Sequence, residues 1–268
     1  MILNSNLQHL IDISAPLWAG EAEVVRTYWD SPVRNLETDL LWLRRQCFKE
    51  FNGKGLGEHK DLGILMGPLT EIMESFPKID AGVPRARILD LIETIQDEFT
   101  HYCLFADVYD AIRDDATPPL DPHRIEEWKA EQELTDMRIE HNHTHGEVGV
   151  RASHFTEGGY CTLFREGMRL KGRGGADDLI AHACSEIYED EFGHMLGGIV
   201  GLDSEPMSDS DYKLMTQLVT DQLRARIRMR NEEFSFPLSE ERVQAIYAGE
   251  IDPEPFDYER AEKELAAA

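Results

Sequence analysis

Two fragments of this chain, EFTH (Glu98 to His101) and EFGH (Glu191 to His194), repeat one pattern, Glu-x-x-His. A spacing of three on an α-helix puts both side chains on one face, where a carboxylate and an imidazole can reach a single metal ion. Each fragment also interrupts an apolar stripe. Glu98 falls among Ile88, Leu91, Ile95, Tyr102, Phe105 and Tyr109, and Glu191 and His194 fall between Ile187 and Met195 in a stripe that runs from Ile180 to Leu202. A charge buried without compensation is costly, so such groups need a partner, a metal or a neutralising proton. Hard oxygen and imidazole donors without a thiolate suit iron or manganese better than a soft metal.

The helices that must position these groups set further candidates. In HFTEGG, Glu157 is predicted to face inward with Ser153, Tyr160, Phe164 and Met168. Glu157 and Glu191 lie about equally far on either side of the turn expected at GRGG, so antiparallel helices joined there would bring both carboxylates to one height. The same test across the turn at KIDAG gives Glu98 a partner at Asp61. Glu58 fits nearly as well, and Glu71 stands too close to Pro77 to match in height.

Helical periodicity dominates the chain, and no run of residues shows a convincing strand alternation. Helices are expected over 37–51, over 58–76 with a kink or split at Gly67-Pro68, from Arg85 to Ile112, and over 123–141 as a crossover. Further helices are expected over 147–170, through the stretch around Glu191, and from Ser208 onward, where Ser208 and Asp211 have the spacing of a capping box. The expected organisation is an all-α protein: an N-terminal helical extension over 1–57, a four-helix core over 58–205, and C-terminal helices and a polar tail over 206–268 packed on the same domain.

Composition narrows the function classes. The 268 residues carry 52 acidic and 27 basic side chains, a formal net charge of -25. A field of that sign repels nucleic acid and anionic membranes, so neither is an expected partner. Cys47, Cys103, Cys161 and Cys184 form no CxxC pair and read as free thiols in a reducing compartment. No basic apolar leader and no run of about 20 apolar residues is present. The expectation is a soluble, cytoplasmic protein.

With two Glu-x-x-His motifs and an inward carboxylate from each of two other helices, residues 58 to 200 resemble the ferritin-like carboxylate-bridged di-iron proteins. The resemblance implies Glu98 and Glu191 as bridging ligands, His101 and His194 as terminal ones, and Glu157 and Asp61 as the remaining carboxylates. Two iron ions, or manganese, would then activate O2. Heme-oxygenase-like di-metal oxidases are the second resemblance: they need no ligand near Asp61, but this chain has Ile187 where that family offers a histidine. Either resemblance implies an oxidoreductase, a monooxygenase or oxidase acting on a small organic substrate, with a ferroxidase or peroxide-handling role as the alternative. Extra helices on both sides of the core favour a substrate pocket over iron storage. No glycine-rich nucleotide motif is evident, so electrons are expected from a ferredoxin or reductase, or from the substrate. A homodimer is compatible with this reading.

Other clusters have plainer expectations. HNHTH (His141, His143, His145) has the look of a metal tract but is read as capping and opening the third long helix, and His154 as a hydrogen-bonding neighbour of Glu157 or an extra ligand. Cys103 and Cys161 fill core space. RARIRMR (Arg224 to Arg230) pairs with nearby carboxylates or, on the functional reading, receives an anionic substrate.

Overall fold

The computed structural model describes residues 3–53 and 62–267, and helix is the regular structure throughout them, beside one isolated bridge between Ile79 and Val83. The protein is all-α. Its contacts divide it into two compact units, residues 35–127 and residues 1–34 with 128–268. This replaces the expected boundaries at 57 and 205: the N-terminal segment joins the C-terminal half, and the middle of the chain stands as its own unit.

The unit of residues 35–127 is built on three helices, α2 (Leu36–Asn52), α3 (Met66–Ser75) and α4 (Arg85–Ile112). Asn35 opens α2 with a reciprocal cap, its side chain accepting from the Thr38 amide while Thr38 Oγ1 accepts from the Asn35 amide. Pro68 falls in the first turn of α3, where a missing N–H breaks no helical bond, so the helix runs unkinked to Ser75. Helix α4 begins after Pro84 and keeps both of its expected ends. It packs on α2 and α3. Trp42 meets Phe105 edge to face at 5.6 Å, and Arg87 forms a double hydrogen bond with Glu71 of α3.

The other unit contains α1 (Ser5–Trp29), α5 (Lys129–His145), α6 (Glu147–Thr156), α7 (Thr162–Met168), α8 (Ala176–Gly201), α9 (Asp209–Glu233), α10 (Glu240–Tyr247) and α11 (Tyr258–Ala267). Sequence periodicity did not single out α1, which runs through Pro16 and buries Leu7, Leu10, Ile11, Trp18, Val24 and Val25. It lies along α9 and α7; α5 and α6 pack on α9, and α8 packs on α7 and α11. Ser208 and Asp211 form the expected capping box of α9. The HNHTH histidines close α5 instead of opening the next helix, because Gly146 at φ +55° ends α5 and α6 starts at Glu147.

The expected long helix over 147–170 is broken. Helix α6 stops at Thr156, and Gly158, Gly159, Tyr160 and Cys161 all adopt positive φ before α7 resumes. For Tyr160 and Cys161 a left-handed backbone costs about 1–2 kcal/mol each. Tyr160 offsets it by packing: its ring stacks on Trp18 at 4.6 Å and meets Phe192 edge-on at 5.4 Å. Its hydroxyl accepts from the Asp257 amide (2.7 Å) and donates to the Pro255 carbonyl (3.1 Å). Gly159 has a second constraint, since a β-carbon there would collide with the Glu21 carboxylate and the Arg226 guanidinium. Gly159→Ala is therefore expected to destabilise the fold by about 2–4 kcal/mol, from backbone strain and steric overlap together. A thermal midpoint within a degree of wild type in a circular-dichroism melt would contradict this account of the turn.

Candidate metal centre

Helices α2 and α4 each bring donors to the interface between them. On α2 the inward stripe is Asp39, Leu43, Gln46 and Glu50, at steps of four, three and four; the first three are buried and Glu50, in the last turn, is half-buried. On α4, Glu98 is half-buried, and His101, three residues on, has only 1% of its surface exposed. One ligand atom from each of Glu50, Glu98 and His101 lies within 4.8 Å of the other two. Among the described residues this is the one group of three carboxylate, imidazole or thiol side chains so closely gathered.

The donor set fits a hard divalent cation. Two carboxylates and a neutral imidazole balance the charge of such an ion, and three donors among the described residues leave further coordination positions. Burial, and then the Glu50 carboxylate, push the Cys47 thiol well above its ordinary range. All four cysteines are free. Glu98 and His101 would hold the ion from α4, and Glu50 from α2.

Glu50 is the member of this group that sequence reasoning missed. Asp61 and Glu58, the candidates offered in its place, lie outside the described residues. Glu71 is engaged by Arg87 on the surface of the α3–α4 pair. A signal for Glu50 was present, since the Asp39–Leu43–Gln46–Glu50 stripe places polar groups on the inward face of α2 as Glu98 does on α4.

Three expected ligands belong to the other unit, and their burial departs from what their spacing implied. Glu157 is exposed at the end of α6, because the chain leaves the helix there; Arg138 Nη2 donates to the Thr156 carbonyl (3.1 Å) and hydroxyl (3.0 Å) beside it. On α8 the buried face turns partway along the helix. Ile180, Ala183, Cys184 and Ile187 are buried in the first half, whereas Phe192, Gly193, Leu196, Ile199 and Val200 are buried in the second, on a different side. Glu191 and His194 continue the first stripe past that turn, so Glu191 is half-buried and His194 is exposed. Gly193 comes inward because α11 crosses it, with the Glu264 carboxylate 2.9 Å from where a β-carbon would stand.

The remaining clusters are absorbed by the fold. His141 Nδ1 lies 3.0 Å from Gln222 Nε2, and His154 is exposed. In RARIRMR, Arg226 and Arg230 bind the buried Glu21, Arg228 binds Glu240, and Arg224 donates to the Tyr247 carbonyl. The basic cluster is thus used inside the chain. No helix among the described residues is long and apolar enough to cross a membrane. Comparison of the chain with protein-family models, with curated proteins and with solved structures finds no match in any of the three.

Proposed function

We propose that the protein is a non-heme iron oxidoreductase, an O2-dependent oxygenase or oxidase of a small organic molecule, with its metal held by Glu50, Glu98 and His101. The approach of these three donors to within 4.8 Å, with His101 buried, is the observation that carries the reading. Ferrous iron in such a site supplies one-electron chemistry toward O2. The chain's own part is to fix the imidazole from a 28-residue helix and to supply two anionic oxygens. Electrons would come from a separate reductase or ferredoxin, or from the substrate. In the two-metal form of this proposal, a second ion takes Glu191 and His194 of the other unit.

Anaerobic loading with ferrous iron, desalting and elemental analysis tests this, followed by O2 uptake on mixing with oxygenated buffer. Stoichiometric iron with O2 uptake supports the reading, and the stoichiometry separates its one-metal and two-metal forms. Iron that binds without O2 uptake would make the metal a structural staple. No bound metal would leave Glu50, Glu98 and His101 as a polar cluster, and the proposal would fail.

A further inference from the structure

Helices α3 and α4 bury one side within their unit and leave a second apolar side in solvent. On α3 that side is Met66, Leu69, Met73 and, at the helix end, Phe76, at steps of three, four and three; Met73 is 76% exposed. On α4 it is Leu89, Ile92 and Phe99, with exposed Gln96 completing the same steps; Leu89 is 65% exposed. A repeat of three and four is the seam along which helices interlock knobs into holes, and among the described residues no further helix of this unit lies on these two seams. The seven apolar side chains together expose on the order of 800 Å². That is comparable to one partner's share of a standard stable interface.

We propose that this face joins two copies of the chain in a two-fold homodimer. The exposed apolar area argues for a second copy, since it matches what each partner of a stable dimer buries. Two chains of net charge -25 repel at a distance, so they can meet only along a face whose centre is uncharged. The seam positions carry no charge; Arg87 and Arg85 beside them pair with Glu71 and Asp80, and the exposed Glu74, Asp90 and Glu93 next to them in sequence must lie at the rim of the contact. Gln96 argues for symmetry. A side-chain amide both donates and accepts, so across a two-fold axis Gln96 satisfies its own copy, and one polar residue in such a seam fixes register and helix number. The contact is isologous, each α3–α4 pair lying on the other, and it closes at two chains.

Sedimentation velocity on the full chain across a wide concentration series tests the proposal. The expected mass is twice the 30.6 kDa of one chain. The double variant Met73→Glu/Leu89→Glu changes two of the most exposed side chains, so it is expected to keep the wild-type helical signal while sedimenting as a single chain, with a thermal midpoint no longer dependent on protein concentration. Gln96→Glu sets like charges against each other at the axis and is expected to weaken the dimer at least tenfold at neutral pH. A single-chain mass for wild type at every concentration would overturn the proposal, as would a dimer that survives both variants. A wild-type chain that stays monomeric but floats with phosphatidylcholine vesicles would also overturn it, by giving the face to a bilayer.

Discussion

Alanine at His101 is expected to abolish the thermal stabilisation that ferrous or manganous ions give the wild-type chain. A metal that binds only the folded state raises stability by RT ln(1 + [M]/Kd), about 2.7 kcal/mol at a hundred times Kd. His101 supplies the one nitrogen donor of the group and sits on the same α4 face as Glu98. Its loss leaves two carboxylates, and affinity is expected to fall by about 100-fold or more, at least as much as when an orienting partner of a ligand is removed. The quantity to read is the metal-dependent increment in melting temperature for each variant. That difference cancels whatever His101→Ala does to the apo protein, where a small cavity beside Phe105 is expected to destabilise it too. Glu50→Ala should behave in the same way. His194→Ala replaces an exposed side chain, so it serves as the contrast. It is expected to lower bound iron from two to one per chain if the two-metal form holds, and to change nothing if one metal binds. A full metal increment in His101→Ala would remove the α2–α4 centre from consideration.

The contrast between His101 and His194 shows what the sequence could convey about the site. A Glu-x-x-His spacing guarantees that two side chains share a helical face, and for α4 that face is the one the helix buries along its whole length, as Ile88, Leu91, Phe105 and Tyr109 indicate. For α8 the same spacing held, but the buried face turned where α11 packs over Gly193. A stripe read on one helix presumes a straight interface, and only the neighbours decide whether that is so. Glu50 was hidden for a related reason. Its nearness to Glu98 is a property of the α2–α4 pairing, whereas matching heights across a turn tests only helices adjacent in sequence.

Backbone conformation was legible in part. The glycines at 158 and 159 announced a weak point beside Glu157, and the structure places a break there. Nothing in Tyr160 or Cys161 announces a left-handed backbone, which for a residue with a β-carbon persists only when surrounding contacts impose it, here the Trp18 and Phe192 rings and the segment around Asp257. Helix α4 was legible at both ends because Pro84 starts it and a polar, proline-bearing segment follows it.

Glu21→Met is expected to be the most destabilising single change in the unit that holds α1 and α9. Glu21 is 1% exposed and accepts hydrogen bonds from Arg226 Nη2 (2.8 Å), Arg226 Nε (3.2 Å), Arg230 Nη2 (2.8 Å) and Arg230 Nε (3.0 Å). Arg230 also binds the fully buried Glu233, so two carboxylates and two guanidiniums balance. Removing Glu21 leaves Arg226 buried without a carboxylate, a loss of about 3–5 kcal/mol. For a chain of this size that corresponds to roughly 10 °C in the melting midpoint. The double variant Glu21→Met/Arg226→Met removes the stranded charge along with its partner and leaves Arg230 with Glu233. It is expected to be more stable than Glu21→Met alone by about 1–3 kcal/mol, a coupling that a double-mutant cycle reads directly. Acid titration gives an independent check. Burial raises the Glu21 pKa, but Arg226 and Arg230 outweigh it and hold the carboxyl below its ordinary value. A depressed folded-state pKa contributes stability above the unfolded value, near 4.3, and loses it as the pH falls through the folded one. The gap between wild type and Glu21→Met should therefore be full at neutral pH and narrow progressively below about pH 4. A gap that is independent of pH would mean that Glu21 acts through its volume alone, and the ion cluster would have no part in holding α1 to α9.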